Sequence, residues 1–377
     1  MLSSKNSIMP IQFTSIVNAL PDATPFIGPE TLEREYQRPF VARIGANESA
    51  FGISPKANDA IQNAVNNSGC SWYADPENFE LRSLLSQKHN IPVENVCVDA
   101  GIDSLLGLTI RMFAEPGTSL ITSRGAYPTV NYHANGYGAI IRSVPYKNNH
   151  EDTVALTQAT HAHKAKLIYL ANPDNPMGTC VHPDAIQQLL NELPEDCVLM
   201  LDEAYIEFMD TMPSLPVDIN DPRLVRFRTF SKAYGMAGMR IGYVMAHKDI
   251  VAGFNRIRNH FGVNRLAQIA AAASVQDTHF LAHAKEHVKQ GRQRIYDLAD
   301  SLSLDYLPSA TNFVAVNLGN HEIANNLIKS LANSGVFMRK PMVAPQDRYL
   351  RIGVGSDDEH RHLESVLIPL MRTASEA

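Results

Sequence analysis

Lys232 is the side chain of greatest chemical consequence in this sequence. It stands beside Ser231 in the run Arg228-Thr-Phe-Ser-Lys-Ala-Tyr-Gly-Met-Ala-Gly-Met-Arg-Ile-Gly-Tyr243, and Arg240 follows across Gly235 and Gly238. An amine flanked by a hydroxyl and a guanidinium suits a Schiff base to an aldehyde cofactor with a phosphate tail. The amine would form the imine, while Ser231 and Arg240 hold the phosphate. Taken alone, a Ser-Lys pair in a glycine-rich turn also reads as a plain surface lysine.

Other residues fit the same cofactor. Asp202 directly follows the apolar run Val198-Leu-Met-Leu201. A carboxylate at the buried end of such a strand is costly unless it meets a cation. A protonated pyridine nitrogen is such a partner, and the pair keeps the ring an electron sink. The plainer alternative is that Asp202 caps the next helix. Tyr205 lies three residues on, within reach of a hydroxyl on the same ring. Asn175, in a turn set by Pro173 and Pro176, can donate to that oxygen, although the composition of the turn already explains its presence.

Gly101-Ile102-Asp103-Ser104 falls between a strand and a helix start, where free backbone N–H groups make a phosphate cup. Asp103 can cap that helix with its side chain. No G-x-G-x-x-G or Walker pattern accompanies the stretch, so alone it is a weak signal. Tyr127 can stack on a heteroaromatic ring or serve as a structural tyrosine. Arg351, in Tyr-Leu-Arg-Ile-Gly, suits planar recognition of a carboxylate, or else lies exposed on an edge strand. Arg339 is a candidate for a second anionic group. Trp72-Tyr73 is an aromatic pair suited to an interface.

The elements that must position these residues alternate strand and helix from residue 95, the pattern of a mainly parallel sheet. Strands are expected at Val96–Val98, Ser119–Thr122, Ala139–Ile141, Lys166–Leu170, Val198–Leu201 and Leu224–Phe230. Helices are expected from Gly101 through Met112 and over Pro183–Leu193. Lys232 then sits just past a strand, where open α/β sheets hold their ligands. Upstream, Ser54 with Pro55 at the first position opens a helix to Asn67, Glu80–His89 forms another, and residues 10–50 read as an irregular arm.

Beyond Tyr243 a long helical region spans Asp249–Leu302 with a break near Gly262. It is followed by strands at Asn312–Val316, Val336–Met338 and Tyr349–Gly353, and by helices at Glu322–Ser334 and Glu359–Met371. This reads as a smaller α+β domain, and the division is 1–50 arm, 51–255 large domain, 256–377 small domain. A helix over about 260–300 links the two larger units.

With 377 residues, 45% apolar and 19% charged, the chain is an ordinary globular one. A net charge of −6 and a pI near 6.2 leave no polyanion-binding surface, so nucleic acid is not an expected partner. Cys70, Cys97, Cys180 and Cys197 are scattered without metal-ligand spacing. No apolar leader and no run of 18 uncharged apolar residues occurs, so a cytoplasmic, membrane-free location is expected.

Together these residues resemble the fold-type I, pyridoxal-phosphate-dependent aminotransferases, and within them the histidinol-phosphate aminotransferase group. Matching stretches are Ala46-Asn-Glu-Ser49, Asn172-Pro-Asp-Asn-Pro-Met-Gly178, Asp202-Glu-Ala-Tyr205, Thr229 to Arg240, Pro308-Ser-Ala-Thr-Asn-Phe313 and Leu350-Arg-Ile352. The resemblance implies a mostly parallel seven-stranded α/β domain plus a smaller α+β domain, with pyridoxal 5'-phosphate as cofactor. It implies that Lys232 forms the internal aldimine and then shuttles a proton, and that Asp202 pairs with the pyridine nitrogen. Asn175 and Tyr205 bond the ring oxygen. Ser231, Arg240 and the Gly101–Ile102–Asp103 backbone hold the phosphate, with Tyr127 over the ring. Arg351 binds the substrate carboxylate, and Tyr73 reaches the phosphate in a neighbouring subunit's site, which implies a homodimer.

The sequence departs from the group where its G-S-D-E loop reads Gly-Ile-Asp-Ser, its N-P-N-N-P-T-G reads Asn-Pro-Asp-Asn-Pro-Met-Gly, and its P-Y-N-V reads His260-Phe-Gly-Val263. These changes leave the cofactor residues intact and bear on the substrate. The expected reaction moves an amino group from an amino acid or amino-alcohol phosphate to a 2-oxo acid. Its rival on the same scaffold is decarboxylation of a phosphorylated amino acid. A ligand-sensing regulator would need a helix-turn-helix segment, which residues 1–45 lack, and a nicotinamide oxidoreductase would need a glycine fingerprint.

Overall fold

The computed structural model describes residues 11–22, 27–67, 69–210 and 212–376. The alternation after residue 95 forms one seven-stranded sheet with strands β1 (Val96–Asp99), β2 (Ser119–Ser123), β3 (Ile140–Val144), β4 (Leu167–Ala171), β5 (Val198–Asp202), β6 (Leu224–Thr229) and β7 (Gly242–Met245). Their order is β1-β7-β6-β5-β4-β2-β3. Every neighbouring pair is parallel except those made by β7, which runs against both β1 and β6. The expected mostly parallel seven-stranded architecture is what the chain adopts.

β4 and β5 are buried at every position because helices cover both faces of the sheet. Successive residues go to opposite sides. Leu167, Tyr169 and Ala171 pack with Leu105, Ile110 and Phe254, whereas Ile168 and Leu170 pack with Leu156, Ile186 and Leu190. Since β1, β2, β4, β5 and β6 share one direction, their C-terminal ends open along a single edge. The loops bearing Gly101, Tyr127, Asn175, Asp202 and Lys232 all leave from that edge.

A second, two-stranded antiparallel sheet pairs β8 (Phe313–Asn317) with β9 (Tyr349–Gly353). Its core of Phe313, Leu350, Ile295, Leu331 and Leu363 also takes in Ala42 and Ile44 from the N-terminal segment. Ala42 bridges to Val336, and the Gly353 N–H donates to Ile44 O at 3.0 Å.

Three expectations are corrected. The region Asp249–Leu302 breaks twice, into Lys248–Ile257, Arg265–Val275 and Thr278–Ser301, so no single helix spans 260–300. Asp277 makes the second break, accepting the Phe280 N–H at 3.2 Å as an N-cap while the Ser54 hydroxyl donates to it at 2.6 Å. Pro29–Tyr36, within the supposed irregular arm, is helical with proline at its first position. Val336 and Arg339 make only isolated bridges, to Ala42 and Arg351, and Val336–Met338 is not a strand. No described helix is long and apolar enough to cross a membrane, and no described group of three His, Cys, Asp or Glu could hold a metal ion.

Candidate active site

The lysine turn is tightly built. Thr229, the last residue of β6, accepts the Ser231 N–H on its hydroxyl at 3.0 Å, and the Gly235 N–H closes back on Lys232 O at 3.0 Å. Gly235 has φ 69°, and a Cβ there would lie 1.8 Å from Gly52 O, so only glycine fits this approach. Lys232 is half-buried. Its Nζ donates to the backbone carbonyl of Asn47 at 3.0 Å and lies 5.5 Å from the Tyr205 ring centroid.

Asp202 is 4% exposed at the end of β5. Its Oδ2 accepts from the Tyr169 hydroxyl at 2.8 Å and its Oδ1 from the Ala204 N–H at 3.0 Å. One oxygen therefore does cap the following turn, but no described cation pairs with the carboxylate. Burial pushes the carboxyl up to about 6, with Tyr169 and the Ala204 N–H opposing. A buried carboxylate short of a cation fits a protonated ring nitrogen, so the donor set passes the test for a pyridinium partner.

Asn47 Nδ2 donates to Tyr205 Oη at 2.9 Å, and Asn175 Nδ2 faces the same oxygen at 3.5 Å. Arg351 is no exposed edge residue: it is 8% exposed, with its guanidinium 5.1 Å from the Phe313 ring. Its Nη1 donates to Asn175 Oδ1 at 2.7 Å and its Nη2 to Gly45 O at 3.3 Å, while Nε is buried without a partner. Burial draws this guanidinium down to about 10. Arg339 lies alongside, its carbonyl accepting the Arg351 N–H at 3.0 Å, while its own guanidinium donates to Ile27 O at 2.9 Å.

At the end of β1, Gly101 takes φ 87°, and a Cβ there would meet Arg240 Nη2 at 2.8 Å. The helix Ile102–Phe113 has no side-chain cap, leaving the first-turn N–H groups of Ile102 and Asp103 open. Asp103 does not cap this helix. Its carboxylate accepts from Tyr127 Oη at 3.0 Å and from Arg240 Nη2 at 3.3 Å, an ion pair within reach that replaces the capping bond. Ser231 and Arg240 come to this place because Thr229↔Gly242 is the last paired position of β6 and β7.

Tyr73 stands apart from this group. It is 82% exposed, its ring 5.0 Å from that of Phe261, and neighbouring Trp72 holds Arg265 over its ring at 5.5 Å. Sequence reasoning attached no role to Asn47, Tyr169 or Asn312. The single hydroxyl in the apolar strand β4 was the local signal for Tyr169, whereas the left-handed φ of 55° at Asn47 shows only in the fold. In the N-terminal segment Arg34 donates to the Thr31 hydroxyl, Arg38 to Ala332 O and Arg43 to Glu30.

The fold and this strand-end site define an aminotransferase: the family model for aminotransferase class I and II matches residues 41–367, and the chain belongs to that family. Among individual proteins, the chain is 33% identical over 351 residues to histidinol-phosphate aminotransferase 2 of Hydrogenovibrio crunogenus, covering 91% of this chain and 92% of that one. It is 34% identical over 341 residues to histidinol-phosphate aminotransferase 1 of Nitrosococcus oceani, covering 90% and 91%. The crystal structure of histidinol-phosphate aminotransferase from Sinorhizobium meliloti in complex with pyridoxal-5'-phosphate superposes with a TM-score of 0.93 at 40% identity, over 96% of this chain and 98% of that one.

Proposed function

We propose that this aminotransferase moves an amino group between an amino acid or amino-alcohol phosphate and a 2-oxo acid such as 2-oxoglutarate, with histidinol phosphate as first donor candidate and aromatic amino acids next. Its cofactor is pyridoxal 5'-phosphate. When bound, that group supplies an electron-withdrawing ring that stabilises negative charge at the substrate Cα. The observation that carries the reading is the cation-free Asp202 carboxylate at the same sheet edge as the Lys232 amine.

In this reading Lys232 attaches the cofactor through Nζ and, once released, carries a proton on that atom. Asp202 keeps the ring nitrogen protonated. Asn175 and Tyr205 donate to the ring oxygen, and Tyr127 covers the ring. Ser231, Arg240 and the N–H groups of Ile102 and Asp103 hold the phosphate, with Gly101 leaving room for Arg240. Arg351 binds the carboxylate, and Arg339 beside it takes a second anionic group. The exposed Tyr73 reaches the phosphate of a partner subunit's site, which makes the working unit a homodimer; its chains divide at about residues 50 and 255, and it works in the cytoplasm.

A donor panel of histidinol phosphate, phenylalanine, tyrosine and glutamate, assayed with 2-oxoglutarate where a non-glutamate donor is used, tests the reading. Transfer from histidinol phosphate is expected. Carbon dioxide release from a phosphorylated amino acid without consumption of the 2-oxo acid would overturn it.

A further inference from the structure

Two sequence motifs, Ala46-Asn-Glu-Ser49 and Pro308-Ser-Ala-Thr-Asn-Phe313, have no part in the cofactor contacts above, yet they meet. Asn312 is 2% exposed, and its Nδ2 donates to two consecutive carbonyls, Asn47 O and Glu48 O, both at 3.2 Å. The Asn47 carbonyl is the same atom that accepts from Lys232 Nζ at 3.0 Å. The backbone of Asn312 is itself fixed: the Val354 N–H donates to its main-chain carbonyl at 2.8 Å, and the adjacent Thr311 hydroxyl donates to Phe313 O at 3.0 Å. Asn47 holds a left-handed φ of 55°, a conformation asparagine adopts more readily than most L residues.

We propose that Asn312 is a positioning residue that holds the Asn47 carbonyl where the Lys232 amine docks on it. The amine, when free of the cofactor, then stays at one place in the site. The inference rests on Lys232 being the proton-carrying amine of the proposed function. An amide suits the position because two carbonyl oxygens one residue apart call for a group with two N–H donors. An ionised carboxylate of the same shape would face both with lone pairs. The Asn47 carbonyl has two lone pairs and receives two donors, Lys232 from the large-sheet side and Asn312 from the segment entering β8.

Limited acetylation of cofactor-free protein at pH 8 with acetic anhydride, quantified lysine by lysine by mass spectrometry, tests this. Asn312→Ala should raise the Lys232 rate about fivefold, the worth of one hydrogen bond. Lys88, whose amine donates to Tyr234 Oη, should stay at its wild-type rate. Asn312→Asp, which keeps the volume but loses the donors, should raise it at least as much. In the loaded protein both variants should lower kcat with KM unchanged, because the contact reaches the lysine and not the substrate. A Lys232 rate that rises in neither variant, or never more than the Lys88 rate, would overturn the proposal. Lys232→Ala separates the two ideas: a visible band retained on adding the cofactor sinks the functional reading and leaves the acetylation result standing.

Discussion

Arg351 Nη1 donates to Asn175 Oδ1 at 2.7 Å, tying the strand that presents the guanidinium to the turn after β4. The same amide turns its nitrogen toward Tyr205 Oη, so a single side chain spans the cation and the phenol. Arg351→Lys keeps the charge and loses the planar fork. It should raise KM for 2-oxoglutarate about 10- to 100-fold, the worth of one charged hydrogen bond. Asn175→Ala should lower kcat as well, since it touches both partners. Steady-state kinetics against 2-oxoglutarate decide the matter, and an unchanged KM in Arg351→Lys would rule out carboxylate capture.

Asp202 makes the cofactor-free protein sensitive to pH. Its carboxyl titrates at about 6 in the fold, against about 4 in an unfolded chain. Between those values the folded state binds the extra proton, so this group's contribution to stability falls as pH rises from about 4 to 6 and stays lost above. The cost at neutral pH is on the order of 3 kcal/mol. The Tm of cofactor-free Asp202→Asn should therefore gain on wild type across that window, and adding the cofactor should reverse the order. Parallel Tm curves from pH 4 to 7 would contradict this.

Glu203 sits between two arginines under the site. It accepts from Arg226 Nε and Nη2 at 3.0 and 2.6 Å and from Arg228 Nε at 2.7 Å, all buried. Burial alone would raise its pKa, but Arg228 and Arg226 outweigh burial and hold it low. A carboxylate held low contributes stability above its unfolded pKa and loses it as pH falls through the folded one. Glu203→Gln leaves two buried guanidiniums short of charge and should cost about 3–5 kcal/mol, read by denaturant unfolding at pH 7. That difference should shrink in acid.

Tyr73 offers a test of shared sites. Mixing Lys232→Ala chains with Tyr73→Ala chains under subunit exchange yields hybrids in which one site has both its lysine and its partner's tyrosine. Activity in the mixture should exceed the sum of the separate variants several-fold. Simple additivity would place each site within one chain.

The sheet was legible because parallel strands buried on both faces are unbroken apolar runs, as Leu167–Ala171 and Val198–Leu201 are. β7 was not, because Gly242–Met245 is four residues long and merges with the lysine turn before it. The helices Thr129–Gly136 and Thr153–His163 were missed as well: the first is rich in poor helix formers, and the second is announced only by the Asp152 cap. Within the site, Asp202 could be found because a carboxylate is costly at the end of a buried strand, and Lys232 and Arg240 because they share one short run with Ser231, broken by Gly235 and Gly238. Asn47 and Asn312 are neutral amides 265 residues apart, and no local pattern records that one holds the other. Asp103 was misread as a cap because sequence shows the helix start but not the guanidinium that reaches it.

The segment around Ala42 and Ile44 has a bearing on how the protein is made. Its backbone partners are Phe337 and Gly353, whose N–H groups donate to Ala42 O at 2.8 Å and Ile44 O at 3.0 Å. A nascent chain emerging from the ribosome can complete the seven-stranded sheet once Met245 has appeared, but the Ala42 and Ile44 carbonyls gain these partners only after Phe337 and Gly353 are made. Docking of the 41–45 segment thus follows synthesis of the second sheet, and loss of Gly353 would leave the Ile44 carbonyl without this donor.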